Sequence, residues 1–182
     1  MEILITLAMK FWQWSILIAL IIIGFIVNLF DKKVDNRVNF KYSDYPMMKP
    51  IKIATKGKGF FKMILMWLLG VRHWEIAKDF EYEINKQKYV IPAGFKFDGA
   101  SIPKFLHMFL SPVGVLLMGG LVHDYAYKYE TLLCKNKKDT MGVISQKEAD
   151  QIFRDIGIEI NGFYFMNYLA FCYLRLGGFM AW

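Results

Sequence analysis

The chain opens on an apolar block without period. "FWQWSILIALIIIGFIVNLF", Phe11 to Phe30, holds twenty positions and no charge. A helix rises 1.5 Å per residue, so this length predicts a crossing of a hydrocarbon core of roughly 30 Å. Trp12 and Trp14 sit at one end, where indole rings favour the membrane interface. The run is long and has no A-x-A-like exit, which reads as an uncleaved anchor rather than a signal peptide. A polar, Pro- and Gly-punctuated stretch follows, and it reads as a connector. Inside it "FFKMILMWLLG", Phe60 to Gly70, is too short to span. With Lys56, Lys58, Lys62 and Arg72 around it, it fits a helix on an anionic membrane surface or a short core helix equally well.

The pattern then changes to period two. Trp74 and Ile76, then Phe80, Tyr82 and Ile84, alternate with polar residues, "NKQ" offers a turn, and "KYVIP" a return strand. "PAGFKFDGASIP", Pro92 to Pro103, reads as a loop. Beyond Pro103 the period is helical. "LHMFLSPVGVLLMGGLV" is long and apolar, but Pro112 interrupts it and Lys104, His107 and Asp124 bracket it, so a buried helix pair is expected rather than a second span. "SQKEADQIFRDIG" carries a capping box, Ser145 with Glu148, ahead of a face made by Ala149, Ile152, Phe153 and Ile156. The last helix, "GFYFMNYLAFCYLRLGG", is apolar nearly all round, yet Asn167 and Arg175 make a clean span unexpected. These elements predict an α+β fold: a transmembrane helix, then a small domain with a β-hairpin and a mainly helical core. The organisation is an anchor (1–30), a basic connector with a short amphipathic or core helix (31–71) and a globular domain (72–182).

Composition sharpens this outline. Of 182 residues 55% are hydrophobic, and the net charge is +7. A basic balance admits nucleic acid or anionic lipid as partner. The lysines cluster near the anchor, where lipid accounts for them, so nucleic acid is not expected. Lys10 precedes the apolar block and Lys32, Lys33 and Arg37 follow it. The positive-inside rule therefore places the globular domain on the cytoplasmic, or virion-interior, side. Cys134 and Cys172 form neither a disulfide framework nor a metal-ligand spacing.

The candidate chemistry sits in "GGLVHDYAYKYE", Gly119 to Glu130. On a helix His123 and Tyr127, four apart, share a face, while Asp124 points about a hundred degrees away. The imidazole can take a proton from water near neutral pH, and the carboxylate can hold a hard cation beside the reacting group. A further acid such as Asp150 can fix the imidazole tautomer, as the third member of a triad does. The Asp98–Gly99 loop can supply oxygen ligands, a set that calcium favours. Each residue also has a plainer reading: His123 as a hydrogen-bonded core residue, Asp98 as the first residue of an Asp-Gly turn, Asp150 as a solvated helix position.

Four motifs together resemble a known family. They are Pro-Ala-Gly-Phe (92–95), Asp-Gly-Ala-Ser-x-Pro (98–103), His-Asp-x-x-Tyr (123–127) and Glu-Ala-Asp-x-x-Phe (148–153). From about Arg72 to Gly178 the chain resembles domain-of-unknown-function family 1353, common in phages and prophages, whose label implies no activity. The order Asp-Gly-x-Ser, His-Asp-x-x-Tyr, Asp-x-x-Phe is also similar to prokaryotic and parvoviral phospholipases of the A2 type. That resemblance implies His123 as the base, Asp124 as a calcium ligand with Asp98 and Gly99 in the calcium loop, Asp150 orienting His123, and Tyr127 bracing the network. "GFKFDGASIP" stands in place of the Gly-rich calcium loop of the secreted forms, and their disulfides are absent. Metal-dependent phosphohydrolases also use a His-Asp pair, but they need further His ligands, and only His73 and His107 remain to supply them.

The expectation is a membrane-anchored, phage-type protein with a phospholipase-like hydrolytic site acting on lipid esters. The alternative is a non-catalytic membrane or virion component whose His-Asp network holds helices together. The two differ in what surrounds His123: an open pocket for an enzyme, a buried and paired ring for a structural network.

Overall fold

The computed structural model describes residues 10–30, 38–69, 73–99, 114–136 and 142–177. The apolar block forms helix α1, Trp12–Phe30, nineteen residues long. Its rise is about 28 Å, slightly less than a hydrocarbon core. Among the described residues no helix is long and apolar enough to cross a membrane. The expected transmembrane crossing is therefore not part of the fold described here. Trp12, Trp14, Ile18, Ile22 and Phe25 are exposed along α1. Apart from its contact with the last helix of the chain, no described element packs closely against it.

Two three-stranded antiparallel sheets follow. One has the order β1 (Phe40–Tyr42), β4 (Phe80–Ile84), β5 (Gln87–Ile91). The other has β2 (Met48–Pro50), β3 (Trp74–Ile76), β6 (Lys96–Phe97). The stretch read as a connector thus contributes β1 and β2, and the stretch read as a loop contributes β6. Pro50 is tolerated because β2 is an edge strand. The β4–β5 hairpin turns through Asn85 and Lys86, at φ 51° and 70°. Two successive left-handed residues between antiparallel strands match the twist of the ribbon. The Asn39 N–H donates to Asn85 Oδ1 at 2.9 Å, which ties β1 to that turn. Phe80, Tyr82 and Ile84 face the core while Glu81 faces out, as the period-two pattern requires.

Between the strands lies α2, Phe60–Leu69. The core is closed by α3 (Leu117–Tyr129), α4 (Gln146–Asn161) and α5 (Tyr164–Gly177). Ile76, Ile91, Leu121, Leu132 and Ile156 are fully buried between sheets and helices. The chain leaving α3 lies along β5, where the Val90 N–H donates to the Leu133 carbonyl at 2.9 Å. The buried helix pair expected after Pro103 is represented by α3; residues 100–113 lie outside the described residues. Helix α4 starts as its capping box predicts: Ser145 Oγ accepts from the Glu148 N–H and Glu148 Oε2 accepts from the Ser145 N–H. Gly119 is where α3 and α4 meet. A Cβ there would lie 2.8 Å from the Phe153 carbonyl oxygen, a contact only glycine avoids.

Candidate active site: a buried histidine–aspartate network

One turn beyond Gly119, α3 presents His123 to α4, and one turn before Phe153, α4 presents Asp150. The close helix approach thus delivers the imidazole to the carboxylate. His123 Nε2 lies 2.9 Å from Asp150 Oδ1. The Tyr127 hydroxyl donates to the same oxygen at 2.6 Å, and Arg175 from α5 donates to Oδ2 at 2.9 Å. The Tyr127 ring also lies against His123, tilted by 36° with centroids 4.0 Å apart, and Phe153 meets the imidazole edge-on at 5.6 Å. Asp150 is 0% and His123 3% exposed. The reading of Asp150 as a solvated helix position is thereby overturned: its buried carboxylate accepts from three side chains on two other helices.

An acceptor-only carboxylate on Nε2 fixes the proton there in the neutral ring. The other nitrogen, Nδ1, is then the unprotonated one. It faces Asp124 Oδ1 at 3.5 Å, at the limit of hydrogen bonding, so its lone pair is not firmly engaged. Asp124 Oδ2 is buried with no hydrogen-bond partner. Beside it comes the carboxylate of Asp98, on the turn before Gly99, whose φ is +94°. The residues named from sequence therefore converge: His123, Asp124, Tyr127 and Asp150 form one network, with Asp98 on the Asp124 side. Among the described residues, however, no group of three or more His, Cys, Asp or Glu side chains is arranged to hold a metal ion.

The titration behaviour follows this geometry. Burial pushes the Asp124 carboxyl up, the His123 ring pulls it back, and the nearby Asp98 charge raises it again, leaving it at about 6. Burial alone would lower the His123 pKa, but the hydrogen bonds and charges of Asp124 and Asp150 outweigh it and the pKa is raised. For Asp150 burial opposes ionisation, yet His123, Tyr127 and Arg175 hold the carboxyl below its usual range. The Tyr127 phenol is raised first by burial and then by its bond to Asp150, so it stays a donor.

Sequence reasoning treated Arg175 only as a break in an apolar helix. It is instead the cation that neutralises Asp150 across 25 residues of chain. An isolated guanidinium in "YLRLGG" is itself a signal, because a charge on an apolar helix needs a buried partner. Gln146 was likewise missed; it acts on the Tyr127 phenol from the first turn of α4.

A family model for proteins of unknown function, DUF1353, matches residues 74–172. The chain belongs to that family. No curated protein and no solved structure matches it. The DUF1353 segment carries His123, Asp124, Tyr127, Asp150 and the Asp98 turn, but it stops three residues short of Arg175. Strands β1 and β2 and helix α1 also fall outside it, so the network of this DUF1353 chain is completed from beyond the matched segment.

Proposed function

We propose that the protein is a membrane-anchored hydrolase of lipid esters in which His123 is the general base. One observation carries this reading: Asp150 fixes the imidazole by Nε2, Tyr127 and Arg175 fix Asp150, and Nδ1 is turned toward Asp124 Oδ1 at the long distance of 3.5 Å. A water placed at Nδ1 gives its proton to the ring while its oxygen bonds to the ester carbonyl carbon. When the tetrahedral adduct collapses, the carbon–oxygen bond to the leaving alcohol breaks and the proton on Nδ1 passes to that oxygen. The products are a carboxylic acid and an alcohol, and the ring returns neutral. Asp150 stabilises the transient imidazolium without taking its proton.

The site is suited to a divalent cation such as calcium. Asp124 has a buried oxygen without a partner, and two carboxylates crowd there in a way that a cation or a proton must relieve. Asp124 and Asp98, with backbone carbonyls of the Asp98–Gly99 turn, would hold it, and it would polarise the ester carbonyl. The anchor is α1. Its exposed apolar side chains suit lipid, and interfacial Trp12 and Trp14 with flanking lysines accommodate a helix slightly shorter than the bilayer core. The charge step after it orients the domain to the cytoplasmic or virion-interior side. The direct test is fatty-acid release from phosphatidylcholine in mixed micelles by the purified full-length protein, with calcium and with a chelator. Release that requires calcium is expected; none under either condition overturns the reading.

The burial of His123 favours a second reading. A ring 3% exposed, tied to a carboxylate with no exposed surface, is also what a helix-locking network looks like. On that reading the chain is a non-catalytic component that assembles with membrane or virion proteins. The His123 substitution described in the Discussion separates the two.

A further inference from the structure

Helix α2 carries an apolar face that no described element covers. Phe60, Phe61, Ile64 and Leu65 are 66%, 84%, 41% and 60% exposed. At 100° per residue these four positions fall within an arc of about 140°. These four side chains are not part of the core. Cations surround the arc. Lys62 borders it on the helix, and Lys52, Lys56 and Lys58 are exposed on the approach, where the chain turns through Gly57 at φ 80°. From Tyr45 to Trp74 the sequence has no Asp or Glu.

The charge decides what covers this face. A second copy in a two-fold contact would set the same lysines against one another. A nucleic acid would use the lysines and leave the Phe, Ile and Leu side chains in water. An anionic bilayer surface takes both, with acyl chains for the arc and phosphates for the lysines. We infer that α2 lies in the surface of an anionic lipid bilayer, its Phe60–Phe61–Ile64–Leu65 arc in the acyl boundary and Lys52, Lys56, Lys58 and Lys62 at the headgroups. This second contact selects lipid by charge, which an apolar anchor cannot do. It goes beyond the proposed function and does not depend on hydrolysis.

The test uses the full-length protein in nanodiscs of phosphatidylcholine alone or mixed with phosphatidylglycerol, read by hydrogen–deuterium exchange of the peptide over residues 58–69. Early deuterium uptake is expected to be several-fold slower in the anionic discs. High salt should remove the difference, because it screens exposed charges, and so should K52Q/K56Q/K58Q. Phe61→Glu should restore fast uptake in either lipid. Equal uptake in the two lipids overturns the inference, as does protection in detergent that grows with protein concentration, the mark of a second copy. Vesicle flotation covers the case in which α1 does not anchor the chain. Binding to anionic but not neutral vesicles then supports the α2 contact, and binding to neither overturns it. No readout uses turnover, so a failed hydrolysis assay leaves this result intact.

Discussion

At the residue scale Asp150 bears the most. Its carboxylate accepts from His123, Tyr127 and Arg175, and its pKa is lowered despite burial. A lowered folded-state pKa contributes stability that is present above the unfolded value near 4 and lost as pH falls through the folded one. Asp150→Asn should therefore flatten the acid limb of a melting-temperature profile. At neutral pH it should cost roughly 3 kcal/mol, because it strands the cationic partner of a buried charge; denaturant unfolding across that pH range measures both. Tyr127→Phe removes one donor of three from the same carboxylate and should cost about 1 kcal/mol by the same unfolding measurement. Asp124 behaves oppositely. Its pKa is raised from 3.8 to about 6, so it disfavours the fold progressively as pH rises between those values, and Asp124→Asn should remove that component. The spacing of His123 and Tyr127 was legible because helical periodicity alone puts them on one face. The role of Asp150 was suggested by motif order, but its burial was not legible, because a lone aspartate on a helix edge carries no local sign of a partner. Arg175 was readable only as a charge in the wrong place.

At the scale of elements, the site depends on how closely α3 and α4 approach. Gly119→Ala would push a Cβ against the Phe153 backbone, where no flexible side chain can give way. A loss of about 1–3 kcal/mol is expected, together with weakened His123–Asp150 contact. Thermal unfolding measures the first effect and the His123 ring-nitrogen NMR shifts the second. Long or strongly patterned elements were legible in advance. The β4–β5 hairpin declared itself by alternation around a turn, and α4 by its capping box and apolar face. Strands of two or three residues, β1, β2 and β6, complete no period. They exist because β4 and β3 offer them edges, so sequence alone read them as connector and loop. The apolar face of α2 was legible, but its neighbours were not, because its composition fits a core helix and a membrane-surface helix equally well.

At the scale of the whole molecule, one chain combines an apolar N-terminal helix, a short apolar helix preceded by exposed lysines and a small α+β domain. Helix α5 links the first to the third, since it packs against α1 and sends Arg175 to Asp150. If α1 anchors the protein, alkaline carbonate should leave the full-length chain in the membrane pellet, and release into the supernatant would contradict anchorage. The central claim, that the buried network is a hydrolytic site, is tested most directly by His123→Ala, assayed for calcium-dependent fatty-acid release beside wild type with melting temperature recorded on the same samples. The account predicts that the variant folds and loses release by roughly 100-fold or more, the scale of a lost general base. A variant that unfolds, beside a wild type that releases no fatty acid at any calcium level, would contradict it and leave the network as a lock between helices.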